Sequence, residues 1–197
     1  MDVPIGAKVY CADGACGYVT HAILNPDSRE VTHMVIQEED PQYRKIVVPI
    51  SLIVESTPKK LRIRCKLQEL SGMQDFEETH FATIEVPGYF GGALTMLPDD
   101  TIEPLEVPIV KELVPPGEVA LRKGAAVRAS DGHIGQVDEL LVSPVDNKIT
   151  HLVLRKGHLW GKREVTIPVT EIDRIEEDTV YLKLDKQAIE HLPSSPA

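Results

Sequence analysis

The chain has 197 residues, a hydrophobic share of 42% and a formal net charge of −10 at pH 7. It is long enough for one large domain or two small ones, and modules of about 70–80 residues gain from packing against something. No apolar run approaches the ~20 residues needed to cross a bilayer, and the opening Met1-Asp2-Val3-Pro4 lacks the basic-then-apolar layout of a signal peptide, so a cytoplasmic protein is expected.

Three segments follow one another along the chain. Residues 1–73 carry 9 basic and 9 acidic side chains, and within them an Asp13-Gly14 pair is followed by Gly17. Asp-Gly with a second glycine nearby is a tight-turn signal, because glycine tolerates φ > 0. Residues 74–118 hold ten acidic side chains against the single base Lys111, and six of the fifteen prolines. They also hold Ile84, Val86, Tyr89, Phe90, Leu94, Val107 and Ile109, more apolar surface than a disordered linker carries. This acidic, proline-rich connector is expected to lie extended over the rest of the protein. Its Gly88-Tyr89-Phe90-Gly91-Gly92 stretch marks a tip, and a partner-binding arm is the functional alternative.

Residues 119–197 carry 11 basic and 12 acidic side chains and read as short strands. The stretches 125–129 and 136–142 flank Asp131-Gly132 and Gly135 as a hairpin, with Gly14 and Gly132 expected at positive φ. A turn over 143–148 leads to strands at 149–154, 164–168 and 179–184. Asp185 caps a short helix, 186–192, which Pro193 ends. Many short strands with frequent turns point to closed barrels rather than a βαβ sheet.

The first and last segments are copies of one another. At a constant offset of 118, Gly6 falls on Gly124, Asp13-Gly14 on Asp131-Gly132, Gly17 on Gly135, Pro26 on Pro144 and Thr32-His33 on Thr150-His151. After a one-residue insertion Pro49 meets Pro168, Leu61 meets Val180 and Ile63 meets Leu182. The fold class expected is therefore all-β: two small barrels at 1–73 and 119–197, with short C-terminal helices and the connector 74–118 between them. A duplicated module inherits a self-complementary face, so a pseudo-two-fold between the copies is expected, and a homodimer is compatible with it.

Asp131-Gly132-His133-Ile134-Gly135-Gln136-Val137-Asp138, then 149–154, then Val165-Thr166-Ile167-Pro168, resembles the signature of the PRC-barrel family. That family takes its name from the cytoplasmic domain of the photosynthetic reaction centre H subunit and includes the C-terminal domain of the ribosome maturation factor RimM. Residues 1–73 match less closely, with Thr20 where the second copy has Asp138. The resemblance implies a small barrel without catalysis or cofactor, acting through protein contacts.

The candidate sites divide into structural and interacting ones. Cys11, Cys16 and Cys65 fall at the places of Ala129, Ile134 and Leu184, and positions that accept such residues are packing sites. No CxxC or paired-His spacing suggests a metal. His33 and His151 share a repeat position inside a strand, with no nucleophile or acid at motif spacing, so a structural role is expected and no catalytic residue is assigned. Asp13, Gly14, Gly17, Asp131, Gly132 and Gly135 are structural turn residues. The loop carrying Arg155, Lys156, His158, Trp160, Lys162 and Arg163 sets four bases around the only tryptophan, and Trp with Arg suits an interface core. With Tyr89 and Phe90 of the connector, it makes up the candidate interaction surface.

These readings lead to a non-enzymatic protein-binding or scaffold protein of tandem barrels. The balanced charge of both barrels argues against direct nucleic-acid binding, which needs a positive face. A ribonucleoprotein assembly factor is the alternative by analogy with RimM. A small-ligand or enzyme site would require groups gathered from distant positions.

Overall fold

The computed structural model describes residues 2–39, 43–87, 102–156, 163–176 and 178–192. Residues 1–76 and 114–197 form one compact unit, and residues 77–113 form a second.

In the first half of the larger unit the strands are Asp2–Val3 (β1), Lys8–Tyr10 (β2), Ala15–Leu24 (β3), Val31–Glu38 (β4), Lys45–Pro49 (β5), Ile53–Thr57 (β6) and Lys60–Ile63 (β7), followed by the helix Leu67–Leu70 (α1). The smaller unit contributes Glu77–Pro87 (β8) and Ile102–Glu112 (β9). The second half contains Val119–Arg122 (β10), Ala126–Ala129 (β11), Gly132–Val142 (β12), Ile149–Lys156 (β13), Arg163–Pro168 (β14), Ile172–Glu176 (β15), Thr179–Leu182 (β16) and the helix Lys186–Glu190 (α2).

The two sheets run β5-β4-β3-β2-β7-β6 and β14-β13-β12-β11-β16-β15, the same path in repeat-equivalent strands. Each contains one parallel pair, β2 with β7 and β11 with β16. One core joins Val9 of β2, Val19 of β3, Met34 and Ile36 of β4, Ile46 of β5 and Leu61 of β7. Strands far apart along the path meet in that core, so the sheet curls around its own side chains, as small barrels do.

Each half lends its first strand to the other. β1 pairs with β12 through Val3 opposite Leu140, and β10 pairs with β3 through Leu121 opposite Ala22. These contacts are images of one another at the repeat offset. Between them Glu30 bridges Lys148. Val31 donates its N–H to the Asn147 carbonyl at 2.9 Å, and Ile149 donates to the Arg29 carbonyl at 2.9 Å. The expected pseudo-two-fold passes through this point. Val3, Ile5, Ala22, Leu24, Val31 and Ile50 are buried in the core of the second half. Each large aliphatic side chain so buried stabilises by about 1.5–3 kcal/mol, so the core of the second half is not complete without the first. Arg29 and Asn147, equivalent residues, both adopt left-handed backbone, φ 59° and 56°. Arg29 adds a seam contact of its own, donating to the Val169 and Ile172 carbonyls at 2.9 and 3.0 Å.

The Asp-Gly turns differ from expectation in one respect. Gly132 has φ +132°, but Gly14 is not at positive φ, whereas Gly17 is, at +150°. In the second half Ala129 pairs directly with Gly132, leaving Ser130 and Asp131 as the turn, while in the first half the ladder ends at Tyr10 and Ala15. In the first half the Cys11 N–H still bonds the Gly14 carbonyl at 2.8 Å, and the positive φ falls at Gly17. Gly17 and Gly135 serve a different need, since a Cβ at Gly17 would overlap the Gln37 carbonyl and one at Gly135 would lie 2.6 Å from the Arg155 carbonyl. Only a residue without a side chain lets the adjacent strand approach so closely.

The turn aspartates have a clear task. Asp13 Oδ1 accepts from the Leu67 N–H at 3.0 Å, and Asp131 Oδ1 accepts from the Lys186 N–H at 3.1 Å. Each satisfies an orphan donor at the start of the terminal helix of its own half. Asp185 caps α2 as expected, accepting from the Ala188 N–H at 2.7 Å, and α2 ends at Glu190.

Of the connector 74–118, residues 74–76 and 114–118 belong to the larger unit, with Phe76 buried there, and β8 and β9 supply the strands of the smaller one. β8 and β9 form an antiparallel hairpin in register from Glu77 opposite Glu112 to Pro87 opposite Ile102. Two eleven-residue stretches bearing β-branched Thr, Val and Ile make a strand pair.

Candidate interaction surfaces

The histidine and threonine of the Thr-His pairs divide the work. Thr32 donates its hydroxyl to the Ile23 carbonyl at 3.3 Å, and Thr150 to the Leu141 carbonyl at 3.0 Å. Both acceptors stand where the neighbouring ladder shifts register, so the hydroxyl supplies a bond at a bulge. His33 Nδ1 lies 2.9 Å from the Thr32 hydroxyl and 3.9 Å from the Glu118 carboxylate. The Thr32 hydroxyl also donates to that carboxylate at 2.8 Å, its shorter contact, so it shares one proton between Glu118 and the Ile23 carbonyl in a small polar network. His21 is the buried histidine, tilted against Phe76 with ring centroids 4.8 Å apart. Its counterpart in the second half is Glu139.

Cys11, Cys16 and Cys65 are buried free thiols in the core of the first half. Burial, reinforced by a hydrogen bond from Cys16, pushes Cys11 up to about 12, and burial with the neighbouring Cys11 pushes Cys65 up to about 11. Burial also raises Cys16. Thiols held protonated are poor nucleophiles and poor ligands. They fill the space that Ala129, Ile134 and Leu184 fill in the other half.

Of the loop residues, Arg155 belongs to a charged cluster: Asp138 Oδ1 lies 3.0 Å from Lys123 Nζ and 3.7 Å from Arg155 Nη1. Thr20, the first-half departure at that position, donates to the Val35 carbonyl at 3.3 Å. Lys156 pairs with Arg163 across the last rung of the β13–β14 ladder. His158, Trp160 and Lys162 lie outside the described residues, as do Tyr89 and Phe90 of the connector.

A feature missed from the sequence is a tyrosine-lysine face on the first half. The Lys8 ammonium sits 6.0 Å from the Tyr10 ring centre and 5.6 Å from that of Tyr18, and Lys60 sits 5.0 Å from Tyr10. Lys8 also pairs with Glu39 at 2.8 Å, and that hydrogen-bonded pairing raises Lys8 and lowers Glu39. Beside it Tyr18, Gln37, Glu38, Glu39 and Tyr43 line an open cleft of about 590 Å³. Among the described residues its wall has no histidine or cysteine to pair with the carboxylates. The spacing of Lys8 and Tyr10 in β2 was the available signal, and Tyr18 joins them only through its register opposite Lys8.

The hairpin is the most unusual surface. Alternation places Ala82, Ile84, Leu105, Val107 and Ile109 on one face and Phe81, Val110, Pro104 and Pro108 on the other. Phe81 is 68% exposed, Ile109 52%, Leu105 49% and Ile84 44%. Its strands carry Glu77, Glu78, Glu85, Glu103, Glu106 and Glu112 against the single base Lys111.

A duplicated, strand-exchanging pair of small β-barrels defines an all-β class. Residues 123–189, within the second half of the molecule, match the family model of the PRC-barrel domain. The first half repeats its strand path. No curated protein matches the chain. Among the described residues no helix is long and apolar enough to cross a membrane.

Proposed function

We propose that the chain is a non-enzymatic binding or scaffold protein in which the paired barrels form the platform and the acidic hairpin is the main recognition surface. The observation that carries this reading is the exposure of Phe81, Ile84, Leu105 and Ile109 on a two-stranded sheet. A two-stranded hairpin alone is marginal in water, and exposed apolar groups ringed by charge mark contact sites. The loop around Trp160, with Arg155, Lys156, His158, Lys162 and Arg163, is the second candidate surface, since Trp and Arg anchor interfaces.

The test is affinity capture from the native host with two baits, the intact chain and one whose residues 77–113 are replaced by a short Gly-Ser linker. A protein retained by the first and lost by the second supports the reading. Identical capture by both baits removes the hairpin from the account.

A further inference from the structure

The three prolines of the hairpin fall in one phase of its ladder. Pro87 pairs with Ile102, Glu85 with Pro104 and Phe81 with Pro108, so all three prolines occupy alternate rungs. In an antiparallel ladder, rungs alternate between pairs that exchange hydrogen bonds and pairs whose N–H groups point away from each other. Proline has no N–H to give, and within sheets it sits where that group would face outward. The rungs of Phe81, Thr83 and Glu85, and by alternation Thr79, are therefore the non-bonded ones, and those four amides point out from the free side of β8.

The two edges differ as a result. β9 lacks an outward donor at Pro104 and again at Pro108, which blunts it against strand addition. β8 keeps a row of donors from Thr79 to Glu85, with Pro87 only at its end. No third strand pairs with β8 among the described residues. Charge then selects the occupant. Six glutamates against one lysine on the two strands make a second copy of the hairpin an unfavourable neighbour, while a basic chain is drawn in. Accepting the hairpin as a recognition surface, we infer that β8 takes up an extended, lysine- or arginine-rich segment of a partner protein as a third strand. Main-chain hydrogen bonds to Thr79, Phe81, Thr83 and Glu85 would supply the docking, and alternate apolar side chains of the partner would extend the stripe of Ala82, Ile84 and Val107.

A ten-residue, end-blocked peptide of alternating Lys and Val is the probe, with a scrambled peptide of the same composition as control. On binding to the full chain, amide exchange should slow at Thr79, Phe81, Thr83 and Glu85 and change little at Ala82 and Ile84, which already bond across the hairpin. Thr83→Pro removes one outward donor in the same way that Pro104 and Pro108 do on β9. It should weaken the peptide at least about tenfold, the scale of losing one or two main-chain bonds, whereas Glu106→Pro on the blunted edge should leave binding unchanged. Undiminished binding by Thr83→Pro, equal protection by the scrambled peptide, or no binding to the intact chain at millimolar peptide each overturns docking on this edge. Binding lost on replacing 77–113 but kept by Thr83→Pro leaves the hairpin as the surface and rejects only the strand addition. Binding that survives the replacement rejects both.

Discussion

At positions 13 and 131 an aspartate ties a turn to the start of a helix, yet the cysteines at 11, 16 and 65 correspond to alanine, isoleucine and leucine at 129, 134 and 184. The two halves thus agree where a residue serves the backbone and diverge where it only fills space or faces solvent. Gly17 and Gly135 permit a close strand approach, Thr32 and Thr150 bond a carbonyl at a bulge, and Arg29 and Asn147 accept left-handed backbone at the seam. What the duplication retains is a frame. What it varies, the thiol core, the tyrosine-lysine face and the Trp160 loop, is where the halves became different molecules.

The glycines offer the largest test of that division. Gly17→Ala and Gly135→Ala each force a methyl into a neighbouring backbone carbonyl, which cannot swing aside as a side chain would. Urea denaturation should show losses above about 3 kcal/mol for each, or no folded protein. A tolerated alanine at either site would remove close approach as the reason for the glycine.

The Asp-Gly turns should separate the halves. Gly132→Val places a branched residue at φ +132° and should cost about 1–3 kcal/mol of backbone strain. Gly14→Ala meets only ordinary contact with Leu67 at 3.9 Å, and it should change the midpoint by less than about 1 kcal/mol. Equal losses at both would mean the two turns are not different after all. Removing the helix anchors is a milder change: Asp13→Ala and Asp131→Ala should each cost about 1 kcal/mol, the usual value of a cap, measured in the same titration.

The thiol core gives an effect seen only at alkaline pH and confined to the first half. Cys11 and Cys65 ionise in the fold only near 12 and 11, while an unfolded thiol does so at about 8.5–9. Above pH 9 the unfolded chain releases protons that the folded one keeps, so this part of the stability is intact below pH 9 and falls as pH rises toward 11–12. The double variant Cys11→Ala with Cys65→Leu, carrying the second-half residues, should show a flatter alkaline decline. An unchanged decline would place its cause in other groups.

The barrels were legible because their instructions are local: Asp131-Gly132, the β-branched 149–154 and the Asp185 cap each act within a few residues, and the repeat doubled every signal. The strand exchange was not. Asp2–Val3 is too short to read as a strand, and nothing in Val3 announces that its partner is Leu140. The positive-φ glycine was misplaced between Gly14 and Gly17 because the same Asp-Gly dipeptide takes a different backbone in the two copies. In the connector, prolines obscured two strands. Their even spacing, with Pro104 and Pro108 four apart, was compatible with one edge of a strand all along. The tyrosine-lysine face needed β2 and β3 to be brought into register before Lys8 and Tyr18 became neighbours.

Native-state hydrogen exchange in rising urea, read on peptides from β3, β12 and β8, most directly tests the claim that two copies make one frame and the hairpin is a separate arm. Strand exchange and the shared core of Val3, Leu24 and Leu121 should make β3 and β12 open together with a single free energy and urea dependence. The β8 amides should exchange at much lower urea, having one bonded neighbour strand and exposed side chains. Separate openings of β3 and β12, or β8 protected as strongly as either, would contradict it.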